Sequence, residues 1–203
     1  MSRRPKGIIL PKRILILCEG ESEKIYLEGM RIEHSKRYSS IDIEVYQPKN
    51  YSPVGLVNEA KKKMKDAKKE YPFFSVWIVF DKDKHQNIDQ TFSIAKQNLP
   101  KINIAFSNIC FEYWIFLHFE KKKRAFRDSD ELIKYIEKKC QFNYSKTMNI
   151  YPALKDKISQ AIENCKWLHQ QNKFDLSHNI KPYNLEAYTN FDQLYSFLMK
   201  IFK

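Results

Sequence analysis

The 203-residue chain carries 36 Lys and Arg against 24 Asp and Glu, a formal charge of +12, with 43% hydrophobic and 14% aromatic residues. That length fits one domain with a modest appendage, and the apolar content excludes wholesale disorder. Four glycines exclude a glycine-rich phosphate cradle as the main device.

Apolar runs such as Ile14-Leu15-Ile16-Leu17-Cys18 fall far short of the roughly 20 residues a membrane span needs. Only a short apolar patch separates the basic opening from Pro11, which is no signal peptide. A cytoplasmic protein with no membrane partner is expected.

In chain order, Arg13 to Cys18 is a continuous apolar run, the pattern of a strand buried on both faces. Ser22 to about Arg37 fits a helix, and Ile41 to Tyr46 alternates strictly like a strand nearer an edge. Pro53 opens a charged helix, Val54 to Glu70, followed by a second buried strand at Ser75 to Phe80. Ile88 to Leu99 reads as a helix ended by Pro100, Ile102 to Phe106 as a fourth strand, and Ile109 to Phe119 as a very apolar helix. This alternation predicts an α/β fold, a parallel sheet of about four strands with helices on both faces, joined by right-handed crossovers. Past Arg124 the periodicity is helical, at Asp130 to Cys140, Pro152 to Gln171 and Phe191 to Phe202, with no convincing strand. The expected organisation is an α/β domain over about 8–120 and a helical region over 121–203 packed against it.

Parallel strands all end on one edge of a sheet, and ligands bind there. The first strand runs into Glu19-Gly20-Glu21-Ser22-Glu23, the third into Asp81-Lys82-Asp83-Lys84, and the fourth into Ser107-Asn108 with Glu112 just beyond. Doubly wound order puts strands one and three side by side, so Glu19 should converge with Asp81 and Asp83. Converging carboxylates repel unless a cation neutralises them, and hard oxygen donors suit Mg²⁺ or Mn²⁺. For Glu112 two readings stand: a pocket ligand or base, or a glutamate exposed at a helix start. In the first, Asn108 caps the helix and Glu112 sits about one turn in. Glu23 is equally consistent with first-turn helix chemistry.

A surplus of positive charge attracts polyanions. It is densest at Lys61-Lys62-Lys63, Lys65 and Lys68-Lys69, and at Lys121-Lys122-Lys123-Arg124. A basic surface around an acidic pocket is the electrostatic layout of phosphodiester chemistry. The 121–124 cluster is the candidate nucleic-acid contact, DNA or RNA. Cys18, Cys110, Cys140 and Cys165 are far apart and form no C-x-x-C pair, so zinc ribbons and fingers are excluded and reduced, mostly buried thiols are expected.

The pair E-G-x-x-E (Glu19, Gly20, Glu23) and D-x-D (Asp81, Asp83) resembles the Toprim domain in the version found in OLD-family nucleases. More specifically, the blocks Ile14–Tyr26, Val76–Asp83 and Ile104–Trp114, with Ala187-Tyr188-Thr189-Asn190 late in the chain, resemble the RloB family, small proteins often associated with bacterial restriction and defence loci. Ser22 stands where a threonine is expected, and it keeps the hydroxyl.

The resemblance implies a Toprim-like fold and a metal-dependent nuclease of a restriction or abortive-infection system. Glu19 would be a metal ligand or general base, Asp81 and Asp83 would hold Mg²⁺ (or Mn²⁺), and Glu23 would be a second-metal ligand. Glu112 and Lys84 complete the candidate catalytic set, Lys84 as a phosphate contact or a screen for the acids. A defence-system partner protein is compatible with this reading. Two further classes stay open at this level: a non-catalytic nucleic-acid-binding accessory module, and, more distantly, a receiver-like phospho-acceptor built on Glu19, Asp81 and Ser107.

Overall fold

The computed structural model describes residues 10–35, 40–49, 52–67, 69 and 71–202. The basic N-terminal stretch, Arg37, Lys68 and Glu70 lie outside the described residues. The sheet has five strands, β1 (Lys12–Cys18), β2 (Ile41–Tyr46), β3 (Phe73–Asp81), β4 (Ile102–Asn108) and β5 (Tyr188–Thr189), in the order β2-β1-β3-β4-β5. The first four are parallel, and β1 lies beside β3 as expected. The short β5 runs antiparallel to β4, pairing Thr189 with Ser107. It overturns the strand-free expectation for the C-terminal region: two residues are too few for any periodicity to register.

Side chains alternate between the faces of β1, and both faces are covered. Ile14, Ile16 and Cys18 join one core, with Tyr26, Leu27 and Met30 of α1 (Glu21–Ser35). Leu15 and Leu17 join the other, with Leu56, Val57 and Ala60 of α2 (Pro53–Asp66) and with Ile88 and Ala95 of α3 (Ile88–Gln97). A strand apolar at every position is the consequence of burial on both sides. Ser52 caps α2, its hydroxyl accepting from the Gly55 amide at 3.2 Å, and Pro53 sits at the helix start, where its missing N–H costs nothing.

The C-terminal helices close over the α1 face. They are α5 (Ser129–Lys139), α6 (Tyr151–Leu154), α7 (Ile158–Gln171), α8 (Lys173–Ser177) and α9 (Phe191–Ile201). Leu132, Ile136, Leu154, Cys165, Leu168, Leu194 and Leu198 belong to the same core as Ile14 and Ile16. The single helix expected over 152–171 is broken by a 3₁₀ turn at Lys155–Lys157, where three consecutive exposed polar residues leave nothing to bury.

The apolar helix expected over 109–119 shrinks to α4 (Glu112–Phe116), wholly buried. Phe111, not Asn108, precedes its first residue. Asn108 instead ends β4, with its amide donating to the Leu185 carbonyl. No described helix is long and apolar enough to cross a membrane.

Candidate functional site

The carboxyl edge of the sheet is stitched together beyond the strand ends. The Glu19 amide donates to the Val79 carbonyl at 2.9 Å, carrying the β1·β3 ladder one residue further. Likewise the Lys82 amide donates to Ser107 O at 2.9 Å and the Asp83 amide to Ile109 O at 3.2 Å. The segments that follow β1, β3 and β4 therefore run together, and their side chains are fixed relative to one another by backbone.

Around that edge lies a pocket of about 390 Å³, lined by Glu19, Glu21, Glu23, Asp81, Asp83 and Glu112, with Lys146 also in its lining. All five carboxylates picked from the strand ends meet here. Glu112 and Glu23 are each only 3% exposed. The exposed alternative for Glu112 is thus excluded: it is the first residue of α4 and points inward. Lys84 is exposed and does not line the pocket. Asp83 is exposed at the rim, in the left-handed region with φ of 34°. Aspartate tolerates that region better than most residues, which suits it to the turn after β3.

Gly20 has a specific steric task. A Cβ built at this position would collide with the Glu23 carboxylate, so the glycine lets the first turn of α1 fold its glutamate back into the pocket. Glu19 is held from three sides: its carbonyl accepts from the Gln47 side chain at 2.9 Å, one carboxylate oxygen accepts from the Asp81 amide at 3.2 Å, and the other meets His85 Nε2. The Tyr144 hydroxyl donates to Glu112 Oε1 at 2.7 Å, and Ser22 donates to Lys146 O at 3.0 Å, tying the segment after α5 to the pocket wall.

The electrostatics follow from this crowding. Burial raises the Glu19 carboxyl, against the pull of His85. Burial, then Glu112 and Glu19, push Glu23 from 4.5 to about 8. Asp81 is driven well up by burial, with Glu23, Glu112 and Glu19 adding to it. Acids that hold their protons this strongly are short of positive charge, and an all-oxygen donor set of this kind fits a hard divalent cation.

His85, Gln47, Tyr144 and Lys146 were not singled out from the sequence. His85 alone had a signal, standing two residues past Asp83 on the same strand exit. Gln47 follows an edge strand in the same way, but an amide carries no chemical flag. Tyr144 and Lys146 arrive from a distant loop.

The basic clusters differ in what they are free to do. Lys63 is paired with Glu44 and sits over the Tyr46 ring. In the second cluster Arg124 stacks on Tyr135 at 4.4 Å and Phe126 at 4.9 Å and pairs with Glu131. Lys121 and Lys122 are exposed. The Tyr113 hydroxyl accepts from the Arg124 amide at 3.2 Å, anchoring this segment to the residue beside Glu112.

A parallel α/β sheet with a carboxylate-lined pocket at its strand exits is the class of protein this geometry defines. The family model for RloB-like proteins matches residues 14–198, and the chain belongs to that family. No curated protein and no solved structure shows a significant match.

Proposed function

We propose that this RloB-like protein is a divalent-metal-dependent nuclease with a Toprim-type site, acting in bacterial defence against foreign nucleic acid. What supports the reading is the convergence of six carboxylates, the five above and Glu21, on one pocket in a chain of charge +12. Acids buried together without matching cations are costly unless a metal takes their charge. Glu19, Glu23, Asp81 and Asp83 would hold Mg²⁺ or Mn²⁺, which when bound supplies charge neutralisation at a scissile phosphodiester.

The remaining roles fall to the chain's own groups. His85 orients the Glu19 carboxylate, and the Asp81 amide fixes its second oxygen. Tyr144 aims Glu112 at the pocket, where Glu112 is the candidate proton acceptor. Lys121, Lys122 and Lys123 draw the phosphate backbone towards the edge that Arg124 holds in place. Lys84, outside the pocket lining, fits a phosphate contact at the rim better than a catalytic role.

The test incubates labelled single- and double-stranded DNA and RNA with the intact chain and Mg²⁺ or Mn²⁺. Cleavage that requires the cation and falls by about 10²-fold or more in Glu19→Gln and Asp81→Asn is the expected result. Salt-sensitive binding indifferent to metal, with no cleavage, would instead make the chain an accessory binding module.

A further inference from the structure

Away from the acidic pocket, donor atoms of three kinds meet where α7, β5 and α9 touch. Cys165 and His169 lie four residues apart on α7 and so share one face. Asp192 comes from the first turn of α9. Cys165 Sγ is 3.2 Å from Asp192 Oδ1 and 3.6 Å from His169 Nε2, and Nε2 is 3.9 Å from Oδ1. The Thr189 carbonyl joins them, 2.6 Å from Nε2 and 3.3 Å from Sγ. Ligand atoms around a tetrahedral zinc ion, at roughly 2.0–2.3 Å from it, stand about 3.3–3.6 Å apart. The three side-chain separations bracket that spacing. A thiol at rest in a core needs at most one acceptor, whereas this one faces a carboxylate, an imidazole and a carbonyl at once.

We propose that Cys165, His169 and Asp192 form a binding site for a zinc-class divalent cation, with the Thr189 carbonyl as fourth ligand once its 2.6 Å hydrogen bond to Nε2 opens to the ligand spacing. Thiolate, imidazole and carboxylate together select zinc or cobalt over magnesium, which takes oxygen alone, so this site and the acidic pocket sort different metals. Cys165 and Asp192 are buried, while the His169 side chain is 24% exposed and gives the ion its way in. Binding sends the thiol proton to solvent, and the His169 ring moves its proton from Nε2 to Nδ1, which frees Nε2 from its hydrogen bond to serve as a ligand.

The cation would pin α7, β5 and α9 to one another. Thr189 also contacts Ser107 across the sheet, hydroxyl to hydroxyl at 3.0 Å, and Ser107 O receives the Lys82 amide between Asp81 and Asp83. The pinned strand therefore braces the loop that carries two of the pocket acids. The sequence holds only the C-x-x-x-H half of this site; Asp192 joins it through the return of the chain as β5 and α9.

The test strips the intact chain with chelator and titrates it with Co²⁺. Expected are a thiolate-to-cobalt charge-transfer band in the near ultraviolet that saturates at one equivalent of thiolate-bound cobalt, tetrahedral visible bands, and displacement by Zn²⁺ but not by excess Mg²⁺. Cys165→Ser should lose the charge-transfer band, and His169→Gln should weaken binding by about 100-fold or more, beyond what loss of a supporting hydrogen bond does. Glu19→Gln and Asp81→Asn should leave the band intact, which separates this site from the metal proposed in the acidic pocket. No charge-transfer band in the intact chain, or an undiminished one in Cys165→Ser, would overturn the proposal and leave Cys165 a hydrogen-bonded core thiol.

Discussion

The Tyr144 hydroxyl donates to Glu112 Oε1 at 2.7 Å across 32 residues of chain, and Tyr144 itself lies in neither helix nor strand. A buried carboxylate at the start of α4 thus takes its direction from a loop on the far side of α5. Removing that one donor leaves a buried acceptor short of a partner. Tyr144→Phe should cost about 1–3 kcal/mol in a denaturant titration. It should slow cleavage by about tenfold, the scale of a lost supporting hydrogen bond, against about 10²-fold or more for Glu112→Gln. An unmoved midpoint would mean that Glu112 does not depend on Tyr144.

Glu23 predicts a pH dependence of fixed sign. With its carboxyl raised from 4.5 to about 8, the folded chain keeps a proton that the unfolded chain releases. Unfolding therefore frees a proton inside that window. The contribution of Glu23 is present in full below 4.5 and is lost as pH rises through about 8. Melting temperatures of chelator-treated protein should fall across the window, and Glu23→Gln, neutral throughout, should flatten the fall. A Gln variant that follows the parent curve would remove Glu23 from the cluster. Mn²⁺ affinity should run the opposite way, rising through the same window, because binding must expel the proton.

Gly20 offers a steric test of the same carboxylate. Since a Cβ there meets Glu23, Gly20→Ala should push that side chain out of the pocket. The Mn²⁺-induced rise in melting temperature should shrink, and the pH window assigned to Glu23 should narrow with it as the acid regains water. If both survive the substitution, the close approach of Gly20 is not what seats Glu23.

Charge on the 121–124 segment separates into two kinds. Arg124 is bound up with Tyr135, Phe126 and Glu131, so its replacement would confound binding with stability. Neutralising Lys121, Lys122 and Lys123 alone should flatten the slope of log K against log salt by up to about 0.9 for each lost phosphate contact on duplex DNA, with an unchanged melting temperature. An unaltered slope would move the footprint to the α2 lysines.

Much of this was legible in the chain. The run Ile14 to Cys18 declares a strand covered on both faces, and its counterpart Val76 to Phe80 declares the neighbour, so the edge where Glu19 and Asp81 meet follows from parallel topology. Glu112 was visible as a carboxylate in an apolar run, although its helix starts later than the pattern implies and without the Asn108 cap. What stayed hidden depends on the return of distant chain. β5 is two residues long and exists because β4 offers an open edge. Tyr144 and Lys146 reach the pocket from an irregular loop, which has no periodicity to read. Asp192 meets Cys165 and His169 only once α9 has folded back over α7.

The central claim is that Glu19, Glu23, Asp81 and Asp83 hold a divalent metal, and crystals soaked in Mn²⁺ test it directly. Anomalous scattering measured at the manganese edge should give one or two peaks in the pocket, with carboxylate oxygens of Glu19 and Asp81 at about 2.0–2.2 Å, the distance hard six-coordinate cations take. Soaked crystals with no anomalous peak between Glu19 and Asp81 would contradict it.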